Sequence, residues 1–467
     1  MELPIAFEAR MRALLKTEYE AFHAALDGES AVKGLRVNAH KVSPEVFSEN
    51  APFPLTRISY VDGGFIVSEE DSAGKHPYHA AGAYYMQDPG AMATVAALPD
   101  EILRREGIRV LDVCSAPGGK TTQLAAAADR VGGVVLANEY NAARSRILAG
   151  NVERLGLSNV LVTNLDTKYL GEWYPGGFDL VVCDAPCSGE GMFRKNDRAV
   201  EEWSEGNVTM CAERQSEILS NIADTVAVGG YLLYSTCTYS VEENEAVVWD
   251  FLSRHADFSL VPVREEVVRS TSDGVTEGFS EELRMTRRFY PHVSRGEGQF
   301  LALLHRNEGG RSRGSLVKDA AKPLSKEDAR AVDAFLMETI GRTEADVILC
   351  GGNATLMSNR RAVGLPIGAF GAVAIGAVIG EVRKGRIVPH HHFFTAFGTE
   401  MKSRAVLDPD DPRVAAYVAG EEIDVPSECK GYTAVLLRVG DACITLGGGK
   451  ASGGRLKNYY PKGLRVR

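Results

Sequence analysis

The sequence predicts an α/β fold whose centre is a doubly wound, mainly parallel sheet. Strand and helix patterns alternate through residues 101–305. The first four candidate strands there are near-continuous apolar runs, as strands buried on both faces should be. A glycine-rich turn at 114–120 follows the first strand and opens a helix. In such folds ligands bind at the carboxyl ends of the strands, so we expect the functional residues at that edge of the sheet.

The hydrophobic pattern assigns each element of this region. The predicted strands are 108–113, 133–138, 159–164, 178–184, 230–235 and 299–305, and the predicted helices are 119–130, 141–156, 209–228 and 242–255. Residues 1–100 are predicted to form an α+β appendage that begins with an amphipathic helix over 1–30. The polar, glycine- and serine-rich stretch 306–323 predicts a linker, followed by a helix capped by Ser325 and then by short strands.

Composition excludes several classes of protein. The chain has 467 residues, of which 45% are hydrophobic and 24% charged, which is typical of a soluble protein with several domains. The net charge of −10 argues against a broadly basic nucleic-acid coat and leaves room for a local basic face. Acidic residues interrupt the N-terminus, which argues against a signal peptide. The uncharged stretch 362–380 contains glycines and a proline that favour β-structure over a membrane helix. We therefore expect a cytoplasmic protein without a membrane partner.

No metal site is expected. The 8 cysteines are widely spread, which suits a reducing compartment and not a disulfide framework. Cys183 and Cys187 lack the second closely spaced pair that a structural zinc site needs. The run His390–His392 is internal to the chain, so it is not a tag, and it is not interpreted as a metal site.

The turn CSAPGGKT, at 114–121, points to a nucleotide-type cofactor. A glycine-rich turn at a helix start exposes backbone N–H groups to a ligand. A phosphate-binding P-loop would need glycine where Cys114 stands, and the dinucleotide fingerprint is also absent. A cofactor with a ribose but no phosphates remains, and S-adenosylmethionine (SAM) is the candidate. Glu139 and Asp166, which end the next two strands, are expected at the ribose and the adenine; the alternative for each is a helix cap or a solvent-facing turn.

Two cysteines, Cys187 and Cys237, stand in turns at the ends of strands and not inside apolar runs. Only a thiolate is nucleophilic, so a functional cysteine needs a lowered pKa or an adjacent base. Beside a SAM site, thiols indicate methylation of a pyrimidine at C5. This carbon becomes nucleophilic once a thiolate adds to C6, and a base must then remove the C5 proton. One cysteine would attack and the other would help to resolve the adduct.

The chain resembles the Nop/Sun RNA (cytosine-C5) methyltransferases. The resemblance is carried by LDVCSAPGGKTTQLA, DAPCSGEGMFRK and YSTCTYSVEENE, which are similar to three signature motifs of that family. GLRVN, YYMQDPGAMA and the C-terminal LGGGKASGGRLKNYYPKGLR are similar to landmarks of its bacterial RsmF-type group, which methylates small-subunit (16S) ribosomal RNA. The resemblance implies a Rossmann-like SAM-dependent core with a mixed seven-stranded sheet at 101–305. It also implies a small linker domain at 324–390 and a β-rich, PUA-like RNA-binding domain at 391–467.

The resemblance also assigns roles to single residues. Cys237 is the nucleophile that bonds C6, and Cys187 assists proton removal or product release. Asp184 lies near the methyl donor and the exocyclic edge of cytosine, and Lys120 faces the target base. The residues that bind SAM are Cys114, Ser115, Ala116, Pro117, Gly118, Gly119 and Lys120 at the methionine part, Glu139 at the ribose, Asp166 at the adenine, and also Arg144 and Asp184.

The expected substrate is a flipped or unpaired cytosine in ribosomal RNA or the small ribosomal subunit, because a stacked base hides its C6 face. The appendages at both ends are expected to grip the RNA, with Arg284, Arg287, Arg288 and the basic tail 447–467 contributing. Arg36 and Asn38 are further candidate contacts, with capping and surface pairing as the alternative. We expect a monomer without a stable protein partner.

Two other classes of function compete with the methyltransferase. A P-loop-like NTPase or nucleotide-binding regulator would explain the glycine-rich turn, but Cys114 replaces its first glycine. A non-catalytic RNA-binding assembly factor would explain the fold, but the two thiols and the carboxylates argue against it.

Overall fold

The computed structural model describes residues 2–28, 32–68, 70–294, 296–307, 321–344, 346–367 and 371–465. Within these ranges the strands form four sheets. The linker expected at 306–323 falls for the most part outside the described residues.

The N-terminal region begins with two helices and continues into a small antiparallel sheet with two short helices between its strands. Its helices are α1 (Ile5–Leu15), α2 (Tyr19–Gly28), α3 (Pro44–Glu49) and α4 (Pro77–Ala80), and its strands are β1 (Lys33–Val37), β2 (Thr56–Arg57), β3 (Gly64–Val67) and β4 (Tyr84–Met86). The sheet order is β2-β3-β1-β4. Helices α1 and α2 do not pack on this sheet with their aromatic residues. Phe7 packs against Phe193 and Phe22 against Tyr239, in the segments that follow the two motif cysteines.

The central region is the expected Rossmann-like α/β unit. Its helices are α5 (Pro89–Ala96), α6 (Asp100–Leu103), α7 (Gly119–Asp129), α8 (Ala142–Leu155), α9 (Thr167–Trp173), α10 (Asp197–Glu202), α11 (Glu205–Ile222), α12 (Glu245–Arg254) and α13 (Glu265–Val268). Its strands are β5 (Arg109–Asp112), β6 (Val134–Asn138), β7 (Val160–Thr163), β8 (Phe178–Asp184), β9 (Val226–Thr236), β10 (Phe258–Leu260), β11 (Ser272–Asp273), β12 (Arg287–Phe289) and β13 (Gln299–Arg306).

The order of these strands places the functional edge. Strands β9, β8, β5, β6 and β7 are parallel neighbours in that order, and β13 joins β9 antiparallel. The chain therefore reverses its direction of winding between β5 and β8, and a crevice opens outside their carboxyl ends. The predicted fold class is confirmed. Seven neighbouring strands, from β7 to β12, correspond to the expected seven-stranded sheet. Three more strands, β10, β11 and a later one, extend it to ten.

The C-terminal region contributes that later strand. Its helices are α14 (Lys326–Thr339), α15 (Arg360–Val363), α16 (His391–Phe397) and α17 (Pro412–Ala419), and its first strands are β14 (Val347–Cys350), β15 (Asn353–Leu356), β16 (Ala372–Ile375), β17 (Ala377–Arg383) and β18 (Arg386–Pro389). Strand β16 pairs antiparallel with β7 and extends the central sheet. The described part of 362–380 thus contains β16 and the start of β17. None of the described helices has the length and apolar character needed to cross a membrane.

The last sheet has the order β19-β21-β22-β23-β20. Its strands are β19 (Arg404–Leu407), β20 (Ile423–Asp424), β21 (Gly431–Val439), β22 (Ala442–Ser452) and β23 (Arg455–Asn458). The basic segment expected as a tail is therefore largely strand, and its Leu456 is fully buried. Deleting 447–467 would remove core as well as charge.

The two ends of the chain share one hydrophobic core. Leu35 and Phe47 of the N-terminal sheet region pack in the same cluster as Val435 and Leu437 of β21. The hydroxyl of Tyr78 donates to the carbonyl oxygen of Arg438 at 2.7 Å. The N-terminal sheet and the C-terminal sheet are therefore one supporting body beside the central sheet.

Arg36 and Asn38 tie this body to the central unit. The guanidinium of Arg36 donates to Thr122 Oγ1 at 2.8 Å and to the carbonyl oxygen of Gly119 at 3.2 Å. The amide of Asn38 donates to the carbonyl oxygen of Leu155 at 3.0 Å. Both side chains are buried, which favours the pairing alternative over contact with substrate.

The expectation that Arg287 and Arg288 grip RNA is wrong. Arg287 is 5% exposed and pairs with Asp273, and Arg288 is 2% exposed and pairs with Glu245. Arg288 also donates to the carbonyl oxygen of Tyr239 at 2.7 Å, so it anchors the segment that follows Cys237. Both guanidinium groups are held away from solvent, Arg288 in a fully buried pair and Arg287 against the half-exposed Asp273.

Replacing Arg288 with methionine should destabilise the protein by about 3–5 kcal/mol, because Glu245 would keep a buried charge without its partner. Urea unfolding measures the change. The matched control is Arg284→Met, since Arg284 is exposed and its ion pair with Glu281 contributes about 1 kcal/mol at most. Equal losses of stability in the two variants would contradict the structural role of Arg288.

Candidate active site

A cleft of about 260 Å³ opens at the carboxyl edge of the central sheet. Five parts of the chain line it: the segment from β4 into α5, the turn at 114–120, the ends of β8 and β9, Met192 after the Cys187 turn, and the start of β13 with the residues before it. The lining residues are Tyr85, Met86, Gln87, Asp88, Ala91, Cys114, Ser115, Ala116, Pro117, Gly119, Lys120, Asp184, Met192, Cys237, Glu297, Gly298 and Gln299. The cleft lies where the strand order predicts a ligand.

The 114–120 turn is held from outside the cleft. The Ala116 carbonyl oxygen accepts from Arg144 Nη2 at 2.7 Å, and the Pro117 carbonyl oxygen accepts from Asn151 Nδ2 at 2.9 Å. Gly118 has φ +115°, which a residue with a side chain rarely adopts. Helix α7 then begins without a side-chain cap. Its first N–H groups have no intrahelical acceptor, so the turn fits the carboxylate of the methionine part of SAM.

Glu139 directly follows β6, and Arg144 lies close to it in the first turn of α8. The Glu139 carboxylate accepts from the backbone N–H of Asn141 at 2.8 Å, and Arg144 Nη1 lies 3.7 Å from its other oxygen. Asp166 accepts from the backbone N–H of Lys168 at 3.1 Å and caps α9. The cap is the alternative considered for Asp166. All three residues stand outside the lining of the cleft, and their contacts with a cofactor stay predictions.

The two motif thiols are adjacent. Cys187 Sγ lies 3.2 Å from Cys237 Sγ, and Cys237 lines the cleft. The hydrogen bond with Cys237 and burial together raise the pKa of Cys187 well above its ordinary value. Cys187 is therefore held as a thiol, in a position to exchange a proton near Cys237.

A carboxylate and an ammonium group face the same cleft. Lys120 Nζ lies 2.7 Å from Asp184 Oδ2, and Ser235 donates to Asp184 Oδ1 at 2.7 Å. The structure thus brings Cys237, Asp184 and Lys120 to one place. A planar heterocycle beside them would meet a nucleophile, a hydrogen-bond acceptor and a cation.

Several lining residues were not predicted from the sequence. Gln299 Nε2 lies 3.4 Å from Asp184 Oδ1, and Lys195 Nζ pairs with Asp88 at 2.7 Å. Gln87 and Asp88 lie within the landmark YYMQDPGAMA, which was the available signal. Glu297 and Gln299 enter the cleft because β13 runs antiparallel beside β9, so its first residues meet the carboxyl edge.

Comparisons with known proteins give matches along most of the chain. Residues 102–305 match the family model described as 16S rRNA methyltransferase RsmB/F, residues 3–89 match the N-terminal domain of 16S rRNA methyltransferase RsmF, and residues 404–466 match the methyltransferase RsmF PUA domain. A relative from Klebsiella pneumoniae named ribosomal RNA small subunit methyltransferase F is 31% identical over 99% of this chain and 96% of its own. The protein of the same name from Vibrio cholerae is 30% identical over 99% of this chain and 98% of its own.

Solved structures give the same fold. A methyltransferase homolog protein from Pyrococcus horikoshii is 27% identical and aligns with a TM-score of 0.56 over 64% of this chain and 94% of its own. NSun6 from Pyrococcus horikoshii, solved with SFG, is 20% identical and aligns with a TM-score of 0.53 over 65% of this chain and 98% of its own. The second likeness concerns the fold alone.

Proposed function

This chain belongs to the RsmF family of 16S ribosomal RNA methyltransferases, which use SAM, and we propose that its methyl acceptor is C5 of a cytosine in that RNA. The observation that carries the proposal is the pair of thiols 3.2 Å apart, one of which lines the cleft. Methylation of an oxygen or of an exocyclic amine needs no sulfur nucleophile. Membership of a methyltransferase family also contradicts the alternative of a P-loop-like NTPase.

The proposed roles follow from the chemistry of the pyrimidine ring. Cys237 as a thiolate adds to C6, which makes C5 nucleophilic. Bound SAM supplies the methyl group. Asp184 accepts from the exocyclic N4 amino group, while Lys120 fixes that carboxylate and faces the base. Cys187 then assists removal of the C5 proton, so that Cys237 can leave.

The proposed cofactor contacts lie along three neighbouring strand ends. The uncapped start of α7 and the turn before it hold the methionine part. Glu139 accepts from the ribose hydroxyls, and Arg144 fixes both Glu139 and the turn. Asp166 lies by the adenine.

We propose a basic strip on the C-terminal sheet as an RNA contact. Tyr432, Lys450 and Lys457 are cross-strand neighbours on β21, β22 and β23, and both lysines are exposed. Lys450 Nζ lies 5.7 Å from the centre of the Tyr432 ring. A row of one aromatic ring and two cations suits phosphate contact together with base stacking.

Replacing Lys450 and Lys457 together with alanine should weaken RNA binding and lower the slope of log affinity against log salt by about 2, since each lysine–phosphate contact contributes roughly 1. Fluorescence anisotropy with a 16S RNA fragment at several salt concentrations measures both. The control removes two exposed lysines elsewhere, Lys326 and Lys384. An unchanged slope in the Lys450/Lys457 variant would exclude the strip from RNA binding.

Bisulfite mapping tests the proposed chemistry directly. The 16S RNA of cells that lack this protein should lose protection at one or more cytosines, and restoring the gene should return it. A full pattern of protected cytosines in the absence of the protein would overturn the assignment to C5.

A further inference from the structure

Two buried carboxylates connect the turns that carry the thiols. Glu190 follows Cys187 by three residues, yet its donors come mainly from the other turn. Its carboxylate accepts from the backbone N–H of Tyr239 at 2.9 Å, from Ser240 Oγ at 2.7 Å and from Thr238 Oγ1 at 2.8 Å. Glu190 therefore binds the segment directly after Cys237.

Glu243 makes the reciprocal connection. It follows Cys237 by six residues and accepts from the backbone N–H of Ser188 at 2.9 Å and from the Ser188 hydroxyl. Gln215 Nε2 donates to it at 2.8 Å. Each carboxylate thus belongs to one cysteine turn and grips the residues next to the other cysteine.

Both carboxylates are buried, so each needs hydrogen-bond donors to offset the loss of hydration. Glu190 is 2% exposed and Glu243 is 0% exposed. Neither has a lysine or arginine ion pair within the described ranges. A buried carboxylate without a cation is unfavourable unless donors surround it. Here Thr238 links the two, since its hydroxyl lies 2.8 Å from Glu190 and 3.4 Å from Glu243.

We propose that Glu190 and Glu243 are positioning residues that together fix the 3.2 Å separation of Cys187 and Cys237, and through it the step in which Cys187 helps to release the methylated base. The first part of the proposal, that the two glutamates fix the separation of the thiols (the geometric half), depends only on the hydrogen bonds described above. The second part, that this separation governs release of the methylated base (the catalytic half), rests on the proposed function. A misplacement of about 1 Å can lower a reaction rate by roughly 10²-fold, so the clamp matters even though neither carboxylate lines the cleft.

The spacing of the thiols can be read without RNA or cofactor. Phenylarsine oxide condenses with two neighbouring thiols, forming two As–S bonds and releasing water. Cys114 and Cys183 also form a close pair, so the signal of interest is the part that Cys187→Ala removes. We expect Glu190→Gln and Glu243→Gln to slow this Cys187-dependent bridging by at least about tenfold, because an amide nitrogen replaces an acceptor among N–H and O–H donors.

Asp179→Asn is the control for the loss of a buried carboxylate, which here pairs with Arg105 at 3.2 Å and not with the thiol turns. Asp179 is a buried carboxylate at the opposite end of β8 from the Cys187 turn, so its replacement tests loss of a buried charge away from the thiols. Its bridging rate should equal that of the wild type. Bridging at the wild-type rate in folded Glu190→Gln and Glu243→Gln overturns the proposal. If those variants do not fold, Thr238→Val decides by the same assay, since it keeps the shape and removes the shared hydroxyl.

The catalytic half has its own readout. With 16S RNA and SAM, the two glutamine variants should accumulate a covalent protein–RNA adduct on denaturing gels while their Kd for SAM stays at the wild-type value. A merely structural loss would lower turnover and adduct together. The catalytic half is overturned if the glutamine variants are bridged slowly but accumulate no adduct, while Cys187→Ala does accumulate it. Methylation that persists in Cys237→Ala would instead defeat the proposed function and leave the bridging result standing.

Discussion

Cys237→Ala is expected to lower methyl transfer by at least about 10⁴-fold, the scale of loss seen when a covalent nucleophile is removed. Without the sulfur at the cleft, C6 of the cytosine has no partner and C5 stays unreactive. The Kd for SAM should not change, because the 114–120 turn is held by Arg144 and Asn151 and not by Cys237. Incorporation of radiolabelled methyl groups into 16S RNA and calorimetric titration with SAM measure the two effects.

The control is Cys350→Ala, which removes an exposed thiol from the sheet of β14 and β15. It should retain full activity. Residual methylation in Cys237→Ala within tenfold of the wild type would show that the reaction does not pass through this sulfur. A parallel loss of SAM binding would show that the substitution disturbs the cleft as a whole.

The central sheet could be predicted because its information is local. Strands β5, β6, β7 and β8 are short apolar runs bounded by turns, and parallel strands connected by helices meet ligands at one edge. The same rule explains why the residues that follow β5, β8 and β9 share one cleft. Lys120, Asp184 and Cys237 are far apart in the chain, but they lie at or after the carboxyl ends of the neighbouring strands β5, β8 and β9.

Other features of the fold depend on contacts between residues far apart in the chain, which the hydrophobic pattern of the sequence does not indicate. Arg288 looks like a solvent-facing charge until Glu245, 43 positions earlier, is placed against it. Strand β16 joins β7 across more than 200 residues, and the pattern of 362–380 predicts β-structure there without indicating this pairing. Glu190 and Glu243 likewise read as ordinary acidic residues, because their donors come from the opposite turn. Hydrophobic periodicity reports which face is buried, but it cannot report which distant polar group meets a buried charge.

Cys187→Ala is expected to stop the reaction after the methyl group has moved. Cys237 would already be bonded to C6, and release of that bond requires loss of the C5 proton. With Cys187 gone, the sulfur 3.2 Å from Cys237 is missing, and the adduct should persist. Incubation with 16S RNA and SAM should therefore convert most of the enzyme into a species that migrates as a protein–RNA conjugate on denaturing gels.

Two further variants separate this outcome from non-specific capture. The double variant Cys187→Ala/Cys237→Ala should form no conjugate, because the bond to C6 is made by Cys237. Cys187→Ser should release the adduct faster than Cys187→Ala, since a hydroxyl can still relay a proton, though more weakly than a thiol. If Cys187→Ala turns over without a trapped species, removal of the C5 proton belongs to another group in the cleft. Asp184 is then the first candidate, because it is the carboxylate that lines the cleft next to Lys120.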